Sequence, residues 1–221
     1  MCGRFALFSE LSEWSKHLGL TGNQPMVAAS YNIAPSSDIP AVVASDDTSR
    51  RLQLMHWGLV PHWAKERSTH YSMINAKAET ISEKPAYKQA FLQRRCLIPA
   101  NGFYEWRNEN NIKQPYYICR KDRELMVFAG IWELWRGDHE LYSCAIITTA
   151  SNHDLHELHE RMPVILDPEQ YADWLDPARR EPEKLQHFLG PYRENQLEYF
   201  PVSRDVNTPR NNHPGLIQPI H

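Results

Sequence analysis

The chain has 221 residues, 42% hydrophobic and 11% aromatic, with a formal net charge of −3 at pH 7 when histidine is neutral. That much apolar material can bury a core in one large domain or two small ones, and it excludes a disordered chain. A charge so close to balance excludes a global polycation, so contact with a nucleic acid would need a local basic groove.

The chain opens Met1-Cys2-Gly3-Arg4-Phe5. A small second residue suits removal of the initiator methionine, which would leave Cys2 with a free α-amine beside its thiol. With reference pKa values of about 8 and about 8.5, both groups keep a nucleophilic population near neutral pH, and the surroundings can lower either further. An aldehyde meeting such a 1,2-aminothiol forms an imine, which the thiol closes to a five-membered thiazolidine. The competing reading of the pentapeptide is an early buried strand in which Cys2 is a small hydrophobe.

Phe5 to Phe8 continues as a strand. Ser9 reads as the N-cap of a helix through Leu18, closed by Gly19, with Leu11, Trp14 and Leu18 on one face. Tyr31-Asn32-Ile33-Ala34-Pro35 ends a polar loop, and Ile39 to Ala44 and Arg51 to Trp57 read as a hairpin around Asp46-Asp47. Trp57 to Trp63 and Ile74 to Thr80 are dense in side chains that a plain connector does not need. Pro85 to Arg94 has helical periodicity, and Arg95 to Ala100 is an apolar strand. In Gly102-Phe103-Tyr104-Glu105-Trp106 the alternation sets Phe103 and Glu105 on one face and Tyr104 and Trp106 on the other.

Asn108 to Asn111 is turn chemistry, and Tyr116 to Cys119, Leu125 to Trp132 and Leu141 to Thr149 complete an antiparallel series. The polar Ser151 to His159 leads to a strand Pro163 to Leu166 and to helices near Pro168 to Leu175 and Pro182 to Leu189. A last strand, Phe200 to Ser203, precedes an irregular tail. No repeat, low-complexity tract or linker divides the chain. The expected fold is α+β: a single domain over residues 1–221, with a predominantly antiparallel, barrel-like β core and flanking helices.

The four cysteines, Cys2, Cys96, Cys119 and Cys144, have neither C-x-x-C nor zinc-type spacing. There is no basic-then-apolar leader, no apolar run near the roughly 18 residues of a membrane span and no lipidation signature. The expected setting is therefore a reducing cytoplasm, away from membranes.

Three polar residues stand out as partners for Cys2. Glu105 shares a strand face with apolar neighbours, so its pKa should rise towards the range where it exchanges protons with an imine; equally, it could be a half-buried carboxylate paired with an arginine. His159, in His159-Glu160-Arg161-Met162-Pro163, sets a titrating imidazole before a strand, where a structural role is also open. Asn75, between Ile74 and Ala76, must hydrogen-bond something, either a ligand hydroxyl or backbone. His153, His156 and His159 recur every three residues, yet His156-Glu157-Leu158-His159 falls one residue short of the H-E-x-x-H zinc helix. No metal or other cofactor is expected.

Seven blocks, taken together, carry a resemblance. They are Met1 to Phe5, Tyr31 to Pro35, Trp57-Gly58-Leu59-Val60-Pro61, Ile74-Asn75-Ala76-Lys77-Ala78-Glu79-Thr80, Arg95 to Ala100, Gly102 to Trp106 and His159 to Pro163. In this order, across nearly the whole chain, they resemble the SRAP family of abasic-site processing proteins. The resemblance implies a sensor of abasic sites in single-stranded DNA, which crosslinks itself to the ring-opened deoxyribose aldehyde through a thiazolidine at Cys2. It implies Cys2 as nucleophile, Glu105 as acid/base near its amine, and Asn75 with His159 as hydrogen-bonding partners of the opened sugar.

Arg4, Thr148, Arg161 and the loop Asn32 to Pro35 match phosphate or sugar contacts of the family, and Trp63 an aromatic that stacks near the DNA. Charge plus aromatic platforms is the usual grip on single strands. Lys77 stands where the family often has arginine, trading a forked clamp for a point charge, and Ala64 where some relatives carry a second tryptophan. The implied partner is single-stranded DNA holding an abasic site, engaged by a monomer that would join the nucleoid when bound; a recruiting partner at the replication fork is left open.

Family members have also been regarded as cysteine peptidases, which would use Cys2 on an acyl group, here on the chain's own N-terminus, and would need an oxyanion hole. Lyase action at the abasic site is a related outcome. Met-Cys-Gly also opens class II glutamine amidotransferases, whose arginine and asparagine-glycine motifs do not stand out. A non-covalent DNA-binding module would differ by reversible, salt-sensitive binding without a covalent product.

Overall fold

The computed structural model describes residues 2–45, 49–66 and 73–220. In chain order the strands are β1 (Phe5–Leu7), β2 (Ser30–Ile33), β3 (Asp38–Ala44), β4 (Arg50–Trp57), β5 (Asn75–Lys77) and β6 (Arg95–Ala100), then β7 (Gly102–Glu109), β8 (Ile112–Arg120), β9 (Met126–Arg136), β10 (Glu140–Ala150), β11 (Arg161–Pro163) and β12 (Leu197–Pro201). The α-helices are α1 (Leu11–His17), α2 (Pro85–Gln93), α3 (Tyr171–Leu175) and α4 (Pro182–Gln186).

Strands β10, β4, β3, β6 and β9 bond in that order, and β9 pairs with β10 again, so this ribbon closes into a barrel. Closure leaves the barrel ring without an exposed edge. The β10–β4 pair runs parallel, through Ser143↔His56 and Cys144↔Trp57; the other barrel pairs are antiparallel. A second sheet, ordered β12-β8-β7-β1-β2, is antiparallel throughout.

The C-terminal half of β10 runs past the barrel and organises the site. On one side it pairs in parallel with β5, Ile146 opposite Asn75 and Thr148 opposite Lys77. On the other it pairs with β11, Ala150 opposite Arg161.

The alternation read in β7 holds. Phe103 joins the main core, where Phe128 touches both Phe103 and Phe5 edge-on and Phe5 meets Trp57 at 5.2 Å between ring centroids. Tyr104 falls in a second cluster with Ala6, Tyr117, Val202 and Val206. The main core draws on both sheets and on α1 to α4. Among the described residues no helix is long and apolar enough to cross a membrane.

Several local expectations are corrected. Ser9 does not cap α1: the helix has Glu10 at its N-cap with no side-chain cap bond, and Ser9 instead engages Asn101, whose Oδ1 accepts the N–H groups of Phe8 and Ser9. Gly19 does close the helix in the left-handed region, at φ 65°. Tyr31-Asn32-Ile33 is strand β2, because β1 supplies a ladder that local composition cannot announce. The β7–β8 turn narrows to Asn110-Asn111, both at positive φ, as a two-residue hairpin demands. The strand after His159 begins at Arg161, β12 begins at Leu197, and α4 stops at Gln186. The β3–β4 hairpin is present, while Asp46-Asp47 lies outside the described residues.

Candidate functional site

Cys2 lies just ahead of β1 and is fully buried. Asn75 Nδ2 donates to the Cys2 carbonyl at 2.9 Å, and Tyr87 of α2 donates its hydroxyl to the Asn75 carbonyl at 3.1 Å. Two residues on, the Tyr104 N–H donates to the Arg4 carbonyl at 2.9 Å. The segment that carries the candidate nucleophile is thus pinned to β5 on one side and β7 on the other. Asn75 Oδ1 is buried and has no partner among the described residues. Burial pushes the Cys2 thiol well above its ordinary pKa, and the nearby Glu105 carboxylate adds to the rise. The thiol is therefore held protonated, where the sequence reading left room for lowering.

Glu105 is 4% exposed on the core-facing side of β7. Burial raises its pKa. His159 Nε2 lies 3.7 Å from Glu105 Oε2. His159 Nδ1 faces the Arg161 backbone, 2.9 Å from its N–H nitrogen and 3.2 Å from its carbonyl oxygen, contacts that suit opposite tautomers, and Nε2 is the nitrogen turned to Glu105. A carboxyl group therefore stands near Cys2, with an imidazole nitrogen 3.7 Å from it.

Next to this pair, Arg161 forms a forked ion pair with Glu79, Nη1 to Oε1 at 2.6 Å and Nη2 to Oε2 at 2.9 Å, and Nη2 also donates to the Thr148 carbonyl at 2.7 Å. Arg161 holds Glu79 below the usual carboxylate range. Lys77 is exposed and in register with buried Thr148. One strip along β10 thus carries Asn75, Lys77, Thr148, Arg161 and, two residues before Arg161, His159.

The family model described as SOS response associated peptidase (SRAP) matches residues 1–209. The chain belongs to the SRAP family. Abasic site processing protein YoqW of Bacillus subtilis (strain 168) is 42% identical over 223 residues, covering 99% of each chain. Abasic site processing protein HMCES of Xenopus tropicalis is 34% identical over 231 residues, covering 90% of this chain and 68% of its own. A solved structure of a Bacteroides thetaiotaomicron protein is 25% identical with a TM-score of 0.88, and the match covers 100% of both chains.

In this SRAP chain the other expected site residues lie apart from the Cys2 cluster. Arg4 Nη1 donates to Asn32 Oδ1 and to the Val206 carbonyl, both at 2.6 Å, and its guanidinium lies over the Trp106 ring. Asn32 Nδ2 donates to the carbonyls of Val206, Thr208 and Asn211, which ties it to the C-terminal tail. Pro35 stands in the β2–β3 turn. Trp63 is 60% exposed in the turn after β4, a turn held by His62 on Glu133 and by Trp135 Nε1 on the Ala64 carbonyl. His153 and His156 line a separate cavity of about 550 Å³ with Asp154, Glu157 and Tyr199, while His159 turns to Glu105.

Tyr87 and Glu79 were not anticipated as members of the site. Tyr87 gives no local signal. Glu79 gives a weak one, an acid two residues from Lys77 within a block otherwise read for its amide and cation.

Proposed function

We propose that this SRAP chain, like its relatives named abasic site processing proteins, acts on abasic DNA, binding the site in a single strand and capturing the aldehyde covalently at Cys2. The observation that carries the reading is the convergence of Cys2, Asn75, Glu105 and His159 from four separated segments. Removal of Met1 would turn the Cys2 nitrogen into a free amine. That amine adds to the aldehyde carbon, and protonated Glu105 gives its proton to the departing hydroxyl, which leaves as water. The thiol then adds to the iminium carbon while its proton returns to the Glu105 carboxylate. The sum is aminothiol plus aldehyde to thiazolidine plus one water, with Glu105 regenerated.

A carboxyl group of raised pKa suits both proton transfers. A thiol that keeps its proton until the iminium is formed suits the order of steps. Asn75 Oδ1, buried without a partner among the described residues, offers an acceptor to a sugar hydroxyl. The peptidase reading is served less well, because burial raises the thiol where an acyl-transfer cysteine is activated by lowering. Strand cleavage would be the consequence of an imine that the thiol fails to close.

Intact-mass spectrometry tests the reading. Protein lacking Met1, incubated with single-stranded DNA bearing one abasic site, should gain the mass of the strand less one water. A form whose N-terminus is blocked by an uncleavable tag should gain nothing; equal capture by the tagged form would refute the aminothiol mechanism.

A further inference from the structure

β5 is three residues long and, among the described residues, pairs only with β10, so its other edge is open. The register sets Asn75 opposite Ile146, and the Ile146 N–H donates to the carbonyl of Ile74, one residue earlier, at 2.9 Å. In a parallel ladder the residue that faces such a partner turns its own N–H and carbonyl the other way. The Asn75 carbonyl therefore points out of the edge, where no strand among the described residues receives it. An edge carbonyl inside the molecule needs a donor from elsewhere.

That donor comes from the next helix. β5 runs into the 3-10 turn Ala78–Thr80, whose Ala78 carbonyl accepts from Gln186 Nε2 of α4 at 3.0 Å, and α2 then folds back beside β5. Pro85 at the helix start presets its φ, and Tyr87 lies in the first turn with its N–H on the Lys84 carbonyl at 3.0 Å. The Tyr87 ring packs in the main core, which leaves its hydroxyl as the one side-chain polar atom to place. It donates to the Asn75 carbonyl at 3.1 Å. Burial raises the phenol above its ordinary pKa, so the donor is kept through the neutral range.

Asn75 also carries the amide that meets the candidate nucleophile. Nδ2 holds the Cys2 carbonyl at 2.9 Å, while Oδ1 is buried without a partner among the described residues. Rotation of the Asn75 backbone about the strand axis would move both atoms. The ladder to β10 opposes that rotation only through its neighbours, because Asn75 turns its backbone groups away from β10. Trp57 Nε1 steadies the Ile74 carbonyl at 3.0 Å, so the peptide that follows Asn75 is the one left to Tyr87.

We infer that Tyr87 is a positioning residue for capture: from the open edge of β5 its hydroxyl fixes the Asn75 peptide, and so keeps Nδ2 on the Cys2 carbonyl and Oδ1 turned to the sugar that bears the aldehyde. This rests on the capture reading above.

Single-turnover capture of abasic single-stranded DNA by Tyr87→Phe, which keeps the ring and loses the hydroxyl, tests the assignment. The rate at saturating DNA should fall about tenfold, the scale of a small misplacement beside reacting groups, while the DNA concentration for half-maximal capture stays within about twofold. Tyr171→Phe is the matched control. It removes another buried phenol hydroxyl, one that lies 3.3 Å from His17 Nε2 between α3 and α1, and it should capture at the parental rate. In an Asn75→Ala background the Tyr87 substitution should cost nothing further; where that background yields no adduct, the comparison with Tyr171→Phe decides.

A Tyr87→Phe rate equal to the parent's, or a loss matched by Tyr171→Phe, would make the hydroxyl a structural bond only. A full further loss in the Asn75→Ala background would route its effect through another residue. Any of these overturns the assignment. Should Tyr87→Phe fail to fold, Tyr87→Met, an apolar side chain of freer shape, is judged by the same criteria. Absence of any adduct from the parent would refute capture at Cys2 and this assignment with it, and is recognised because the parent itself fails.

Discussion

Glu105 shows how one burial event sets chemistry and stability together. Its raised pKa means that, between the usual glutamate value and the raised one, the native state holds more protons than the unfolded chain. Stability therefore falls as pH rises through that window, and the cost persists above it. Glu105→Gln has no charge to desolvate, so it should melt above the parent at neutral pH, and the two curves should meet below the usual glutamate value. The same variant should capture abasic DNA about 10²- to 10⁴-fold more slowly, the usual worth of acid/base help. Melting temperature against pH checks the first point; parallel curves at every pH would show that the carboxyl is not desolvated. At this scale the apolar setting of Glu105 was legible, because strand alternation sets it beside Phe103. The raised thiol of Cys2 was not, since it depends on burial under distant segments and on the Glu105 carboxylate that one of them supplies.

Elements that cross closely leave a different trace in the sequence, a small residue with no local reason to be small. At Gly102, at the start of β7, an added Cβ would lie 2.6 Å from the Ile118 carbonyl oxygen and closer still to the Tyr117 ring. At Gly130 in the barrel wall it would lie 2.8 Å from the side-chain atoms Cys96 Sγ and Ile98 Cδ1, with the Ala145 carbonyl oxygen at 3.3 Å. Gly190 has nothing within 4 Å. Alanine at these positions should thus destabilise in the order Gly102, Gly130, Gly190, by more than about 3, about 1–3 and about 0 kcal/mol, as denaturant midpoints would report. Because Gly102 leads directly into Glu105, its substitution should also slow capture. An equal loss at all three would point to backbone entropy instead of contact. Strand and helix positions were readable where periodicity was strong, as in β4, β6, β9, β10 and α2. They failed at β2, whose partner β1 lies far back in the chain, and at Ser9, where Asn101 outcompetes the helix for a capping group.

Over the whole molecule the two ends of the chain are joined, and Asn32 joins them. Its Oδ1 accepts from Arg4, two residues after Cys2, while its Nδ2 donates to three carbonyls of the tail. The tail is held further by Trp106 Nε1 on Asn207 and by the Tyr31 N–H on Asn212. The resemblance implied a DNA contact for Asn32, and its hydrogen bonds make a competing expectation that can be tested. Asn32→Ala leaves buried acceptors without their donor, a loss of about 2 kcal/mol, or about 4–8 °C in melting temperature for a chain of this size. Asn32→Asp keeps the acceptor for Arg4 and even charges it, but it removes the amide donor and turns a second oxygen towards the tail carbonyls. If holding the tail is the main role, the aspartate variant should melt no higher than the alanine one, and both should capture abasic DNA more slowly through a loosened Arg4 segment. If Arg4 is what Asn32 chiefly serves, aspartate should restore both stability and capture. Unchanged melting with weaker binding of single-stranded DNA would return Asn32 to the nucleic-acid interface.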